Sequence, residues 1–263
     1  MAWLRLSAGE DRPSSRAVCS LAQQLHGAHC DAAPSQRLIA IRDTFGHLMI
    51  VAFLPGFARS AQMLEHWTKL LPADVRVFDL PGHAEEPAAR VLTLEGLADQ
   101  YMDRIPQGAL IVGESLGGLI SLAMAPRGYH AVAFDPPLST AKQWVIHQNV
   151  PPLVTRNPSA KWLPGFAAAF LGVMPNGEVE ERNYWPVLDA LTSPAHVIAA
   201  SEPLWPRRST ETAPSVIDDI DAYNLERHPQ VRFRRIAGQH TLLSDSVDEV
   251  RAVLLEILEG VPA

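Results

Sequence analysis

Short apolar runs rich in β-branched residues alternate along this chain with longer stretches of helical period, and that alternation limits what it can fold into more than any other feature. Strand, helix, strand in succession implies crossover connections, which place parallel strands in one sheet and helices on both of its faces. The expected strands are "RLIAIRD" (37–43), "HLMIVAFLPG" (47–56), "VRVFDLPG" (75–82), "ALIVGES" (109–115), "YHAVAFD" (129–135), "AHVIAAS" (195–201) and "VRFRRIAG" (231–238). Between them "SAQMLEHWTKLL" carries Met63, Leu64, Trp67, Leu70 and Leu71 at helical spacing, "TLEGLADQYMDRI" opens on Thr93 as N-cap, and "LGGLISLAMA" continues as a helix. The last helix, "SVDEVRAVLLEILEG", has Asp and Glu in its first turn, where the helix dipole favours negative charge.

The rhythm breaks between Pro136 and Pro194 into a proline-punctuated segment holding Trp144, Trp162, Phe166, Phe170, Tyr184 and Trp185. Long inserts in compact domains are usually lids or other functional excursions. The expected organisation is therefore an N-terminal segment, 1–36, with no clear period beyond a helical stretch near "AVCSLAQQL". A core follows over 37–139 and 194–263, with an insert over 140–193.

With 263 residues, 47% of them hydrophobic, the chain can bury a substantial core, yet no run reaches the roughly 20 apolar residues that span a bilayer. The start, "MAWLRLSAGEDRPSS", lacks a basic flank followed by an apolar stretch, so the expectation is a cytoplasmic protein without a membrane span. Twenty-two basic against 29 acidic residues, a net charge of −7 with no basic block, argue against a nucleic-acid partner. Cys19 and Cys30 lack the repeated spacing of a zinc site and read as free thiols, and no metal is expected.

The stretch "VGESLGGL" (112–119) sets Ser115 between Gly113 and Gly117 where strand gives way to helix. A serine in that turn is held out at the top of a sheet, and glycines permit a bend that larger side chains would obstruct. Here the chain resembles the α/β-hydrolase superfamily, over nearly everything from about Arg37 to Val261. The resemblance implies an α/β-hydrolase fold: a mostly parallel central sheet, helices on both faces and a small cap insert. It also implies a nucleophile, an acid and a histidine in that order along the chain.

On that resemblance Ser115 is the expected nucleophile and His240, in "QHTLLSD" before the final helix, the expected base. The acid has two candidates. Glu202 in "HVIAASEPLWP" takes the place of the family's aspartate and is the first choice, since a longer carboxylate can still orient an imidazole. Asp135, ending the strand after the nucleophile helix, is the alternative, a place some lipase-like relatives use; its other reading is a turn residue ahead of "PP". Oxyanion donors are expected at the backbone N–H of Leu116 and, from "FLPGFARS", of Phe57. "FDLPGHAEEP" matches another recurrent family text, in which Asp79, Gly82 and His83 shape a turn and take no chemical step.

The implied activity is that of a serine carboxylesterase acting on a small or medium-sized ester, possibly carrier-bound, through an acyl-enzyme and without a cofactor. "SLGGL" and the short insert are most similar to small esterases of the pimeloyl methyl-ester carboxylesterase type. Trp144, Trp162, Phe166 and Trp185 either line an acyl or alcohol pocket or form the cap's own small core. Three alternatives share the fold: a thioesterase or acyltransferase with the same triad, a cofactor-free lyase, and a non-catalytic binding protein.

Overall fold

The computed structural model describes residues 49–84, 86–141, 144–205 and 212–261, less the side chains of 144, 145 and 147. The strand expected at 37–43, the segment 1–36 and both cysteines lie outside these residues. Six strands form one sheet: β1 Ile50–Leu54, β2 Asp74–Val77, β3 Leu110–Glu114, β4 His130–Phe134, β5 Ala195–Ala200 and β6 Val231–Ile236. Their order is β2-β1-β3-β4-β5-β6, and every pairing is parallel. All carboxyl ends therefore point to one edge, with β1, β3 and β4 central.

Successive residues of a strand face opposite sides, and this sheet is covered on both. Ala52, Leu54 and Ile111 pack with Leu97, Tyr101 and Leu119 on one face. Val51, Phe53, Leu110 and Val112 pack with Leu64, Trp67 and Leu254 on the other. That two-sided burial is why β1, β3, β4 and β5 read as nearly unbroken apolar runs, while the edge strands β2 and β6 carry charged residues.

The helices follow from their own patterns. Helix α1, Leu94–Met102, starts where Thr93 Oγ1 accepts the Gly96 N–H at 3.1 Å. Helix α2, Leu116–Met124, is buried along its whole length, and its single polar side chain, Ser121, is satisfied by donating to Gly118 O at 2.8 Å. The segment Ala61–Lys69 is a 3-10 helix rather than the α-helix its spacing suggests. Its buried residues, Ala61, Leu64 and Trp67, recur at three-residue intervals, the 3-10 period, while Met63 is left exposed. Trp67 stacks on Phe53 at 5.4 Å and donates its indole N–H to Leu243 O at 3.0 Å, tying this helix to the short helical turn 242–245 after β6.

Between β4 and β5 the chain makes an excursion of three helices: α3 Trp144–Arg156, α4 Leu163–Leu171 and the single turn α5 Pro186–Asp189. It leaves and returns through paired backbone, with Thr140 N–H donating to Arg182 O at 2.9 Å and Tyr184 N–H to Leu138 O at 2.8 Å. After β5 comes α6, Asp219–Arg227, absent from the sequence expectation, followed beyond β6 by α7 Leu242–Asp245 and α8 Val247–Gly260. Asp218 caps α6 and Asp221 reaches back to the cap N–H, so an all-aspartate capping box starts this helix. In α8 the buried positions Val250, Val253, Leu254, Ile257 and Leu258 form one stripe against the sheet.

The tightest packing lies at the end of β3, where a Cβ on Gly113 would sit 2.0 Å from Gly117 O. We predict that Gly113→Ala destabilises the fold by about 3 kcal/mol, read as a shift in the urea midpoint.

Candidate active site

Ser115 sits between β3 and α2 with φ 54° and ψ −117°, a conformation L-residues rarely adopt. The surroundings impose it. A Cβ on Gly117 would lie 2.3 Å from Leu54 O and 2.6 Å from Pro55 O, so the first turn of α2 is pressed against the end of β1. A Cβ on Gly56 would meet Ser115 Cβ at 3.2 Å, which brings the β1 loop beside the serine. The Ser115 N–H donates to Phe134 O at 2.8 Å, fixing the bend from the β4 side. Strain stored in this way is held only where neighbouring structure overdetermines it.

His240 lies between β6 and α7, and its Nδ1 is 2.6 Å from Asp135 Oδ2. Asp135 ends β4 with φ 47° and is fully buried. Its carboxylate is satisfied on both oxygens: Oδ1 accepts from Ser215 Oγ at 2.6 Å and Ala200 N–H at 3.3 Å, and Oδ2 from Val216 N–H at 2.9 Å. A carboxylate so held keeps its orientation and directs the imidazole to carry its Nδ1 proton.

Glu202, the first-choice acid from sequence, does not meet His240. Its backbone is tied on both sides, N–H to Gly238 O at 3.0 Å and C=O from Ser215 N–H at 2.7 Å, and its carboxylate accepts from Thr212 Oγ1 at 3.4 Å. The correction has a physical cause. The segment after Glu202 folds back so that Ser215 and Val216 deliver donors to Asp135, and Ala213 O accepts the His240 N–H at 2.9 Å. The site is thus built around the β4 carboxylate, with Glu202 serving the loop that supports it.

Burial works against a charged His240, but the hydrogen bond and charge of Asp135, with Glu114 behind them, outweigh it and raise the imidazole above its ordinary value of 6.5. Glu114, next to Ser115, is 1% exposed, and sequence reasoning passed over it. Its one signal was a carboxylate inside an apolar strand, which needs a buried partner. That partner is Arg59, whose Nη1 lies 3.2 Å from Glu114 Oε1, while Glu114 Oε2 accepts the Leu243 N–H at 3.0 Å and Arg59 Nη2 donates to Ser244 Oγ at 2.6 Å. Burial still pushes the Glu114 carboxyl upward, against the pull of Arg59.

Of the two expected oxyanion donors, Leu116 is the first residue of α2 and Phe57 stands in the loop against Ser115. Among the described residues the Phe57 N–H has no protein acceptor. The expected pocket aromatics divide. Phe166 is 1% exposed and packs with Phe170 in the core, half-buried Trp162 lies against His83 and Phe166, and half-buried Trp185 packs on the same cluster. The Trp144 side chain lies outside the described residues. Among those residues no cluster of His, Cys, Asp and Glu could hold a metal ion.

A six-stranded parallel sheet with a strained serine after β3 and a histidine before the last helix defines a class of protein, and the sequence pattern of the α/β hydrolase family matches residues 51–255. The chain belongs to that family. It is similar to a pimeloyl-[acyl-carrier protein] methyl ester esterase of Aromatoleum aromaticum, 37% identical over 123 residues that cover 45% of this chain and 45% of the relative. The enzyme of the same name from Sodalis glossinidius is 35% identical over 88 residues, covering 32% of this chain and 33% of the relative. The match thus spans less than half the length of these curated relatives. A thermophilic esterase from Thermogutta terrifontis shares the fold, with a TM-score of 0.56 and 17% identity over 82% of this chain and 92% of its own.

Removing Glu114 would strand the Arg59 guanidinium in a buried setting. Glu114→Ala is expected to lower stability by about 3–5 kcal/mol in urea denaturation, with Glu114→Gln, which keeps an acceptor for Leu243, losing less.

Proposed function

We propose that the protein is a serine hydrolase that cleaves a carboxylic ester through an acyl-enzyme on Ser115. The observation that carries this reading is the 2.6 Å bond between His240 and the buried Asp135, at the same sheet edge where Ser115 is held at positive φ. His240 Nε2 takes the proton from Ser115 Oγ as that oxygen attacks the ester carbonyl, and Asp135 stabilises the imidazolium that forms. The N–H groups of Phe57 and Leu116 receive the charge on the carbonyl oxygen, each worth about 3 kcal/mol of barrier. The alcohol leaves with the proton from His240, and water, activated by the same imidazole, releases the acyl group. Ser115 and His240 share no hydrogen bond. Such contacts often tighten only when substrate binds.

The substrate class follows the relatives' name: the methyl ester of an acyl chain, which in those proteins is carried on acyl-carrier protein. The excursion between β4 and β5 is read as the cap over that substrate, with its deeply buried aromatics forming the cap's own core rather than the pocket wall. A cytoplasmic setting fits a chain in which no described helix is long and apolar enough to cross a membrane.

A fluorophosphonate probe is expected to modify Ser115 alone, and the label to vanish in Ser115→Ala and fall sharply in His240→Ala; an intact fold that takes no label overturns the acyl-enzyme. Asp135→Asn should lower kcat/KM by about 10⁴-fold. Glu202→Gln should stay within about threefold, an order opposite to the one the sequence suggests. Because the base must be neutral and His240 is raised, kcat/KM should fall as the pH drops through a value above 6.5. Rates on p-nitrophenyl esters and acyl-thioesters of rising chain length then separate an esterase from a thioesterase.

A further inference from the structure

The loop that presents Phe57 is strained. Ala58 has φ 58°, a left-handed turn at a residue with a side chain, so something must hold it. The hold comes from the turn after β2. His83 Nε2 accepts the Ala58 N–H at 3.1 Å, and Asp79 Oδ1 accepts the Ala61 N–H at 2.7 Å. His83 Nδ1 lies 3.3 Å from Pro81 O, which can only accept, so the ring carries its proton on Nδ1 and offers a lone pair at Nε2. The ring is 3% exposed, and water has little access to replace either bond. Its neighbours are aromatic: Trp162 at 4.0 Å, Phe166 at 5.2 Å and Phe57 at 6.2 Å between ring centroids.

We propose that His83 is a positioning residue for the oxyanion loop: as a neutral imidazole it fixes the peptide between Phe57 and Ala58, the unit next to the one that carries the Phe57 N–H, and through that turn it holds the Phe57 N–H toward the oxyanion. This rests on the acyl-enzyme reading above and adds to it. A second proton on His83 would place an N–H against the Ala58 N–H, which breaks the bond and frees the strained turn. The loop is therefore set only while His83 is neutral. Its surroundings favour that state: burial pulls the imidazole below 6.5, against the acceptor Pro81 and the charge of Asp79 from its own loop. The oxyanion loop meets the ring through Phe57, and the excursion through Trp162 and Phe166, none of them ionisable.

Two variants and one spectrum test this. His83→Phe keeps a ring among the aromatics but accepts nothing, whereas His83→Gln offers a carbonyl oxygen at about the Nε2 position and does not titrate. On p-nitrophenyl butyrate, His83→Phe should lower kcat by about 10–100-fold with KM within about twofold, and His83→Gln should recover most of that loss. For the wild type, log(kcat/KM) should steepen at low pH from the single proton of His240 to two, and His83→Gln should return the limb to one proton. Nitrogen-15 NMR of the labelled protein should show His83 protonated at Nδ1 alone at pH 6, with the Ala58 amide shifted in His83→Phe. A folded His83→Phe enzyme with unchanged kcat, or a His83 protonated at Nε2, overturns the proposal. The two failures differ in origin: a wrong tautomer removes the pin itself, whereas an intact tautomer and a shifted Ala58 amide with unchanged kcat remove Phe57 from the oxyanion.

Discussion

The close approach of three backbone segments at the end of β3 is the constraint on which the rest depends. Gly113 and Gly117 leave no room for a Cβ between strand and helix, and Gly117 also lies against the end of β1. That contact holds Ser115 at positive φ, directly ahead of the first turn of α2. It also brings the β1 loop within reach of the same point. A helix set even one ångström further from the strand would relax the serine and separate it from the loop.

Around this contact the chain secures each mobile part to a rigid one. Arg59 and Glu114 join the β1 loop, β3 and the α7 turn in a single ion pair with side-chain and backbone hydrogen bonds. Asp135 joins β4 to the β5 loop and to His240. A buried pair of this kind is seldom a large net gain in stability. Its use here is geometric, since it fixes the distance between loops that come from distant parts of the sequence.

The frame was legible because two-sided burial writes itself as apolar runs, and helical faces as periodic ones. Ser115 and His240 were legible for the same reason: each follows a strand that could be recognised. The carboxylate was not, because Asp135 and Glu202 both end strands, and what separates them is the path of the chain after Glu202. Donors from Ser215 and Val216, which carry no local pattern, select Asp135. Helix α6 went unseen because its capping box uses aspartate twice and its buried side is short, Ala222 and Leu225. The 3-10 helix was misread because a three-residue step such as Leu64 to Trp67 occurs on an α-helical face as well.

The antiparallel pairing of Ser139 with Asn183 forms a neck for the longer part of the excursion, which also packs on the sheet through Phe166 and Phe170. Strand spacing between β4 and β5 is set by their own ladder and is indifferent to how much chain lies beyond the pairing. Asp135, four residues before the pairing, is held by donors from the segment after β5 rather than by the chain beyond that neck. The inserted part can then vary without reopening the geometry of the Asp135–His240 pair.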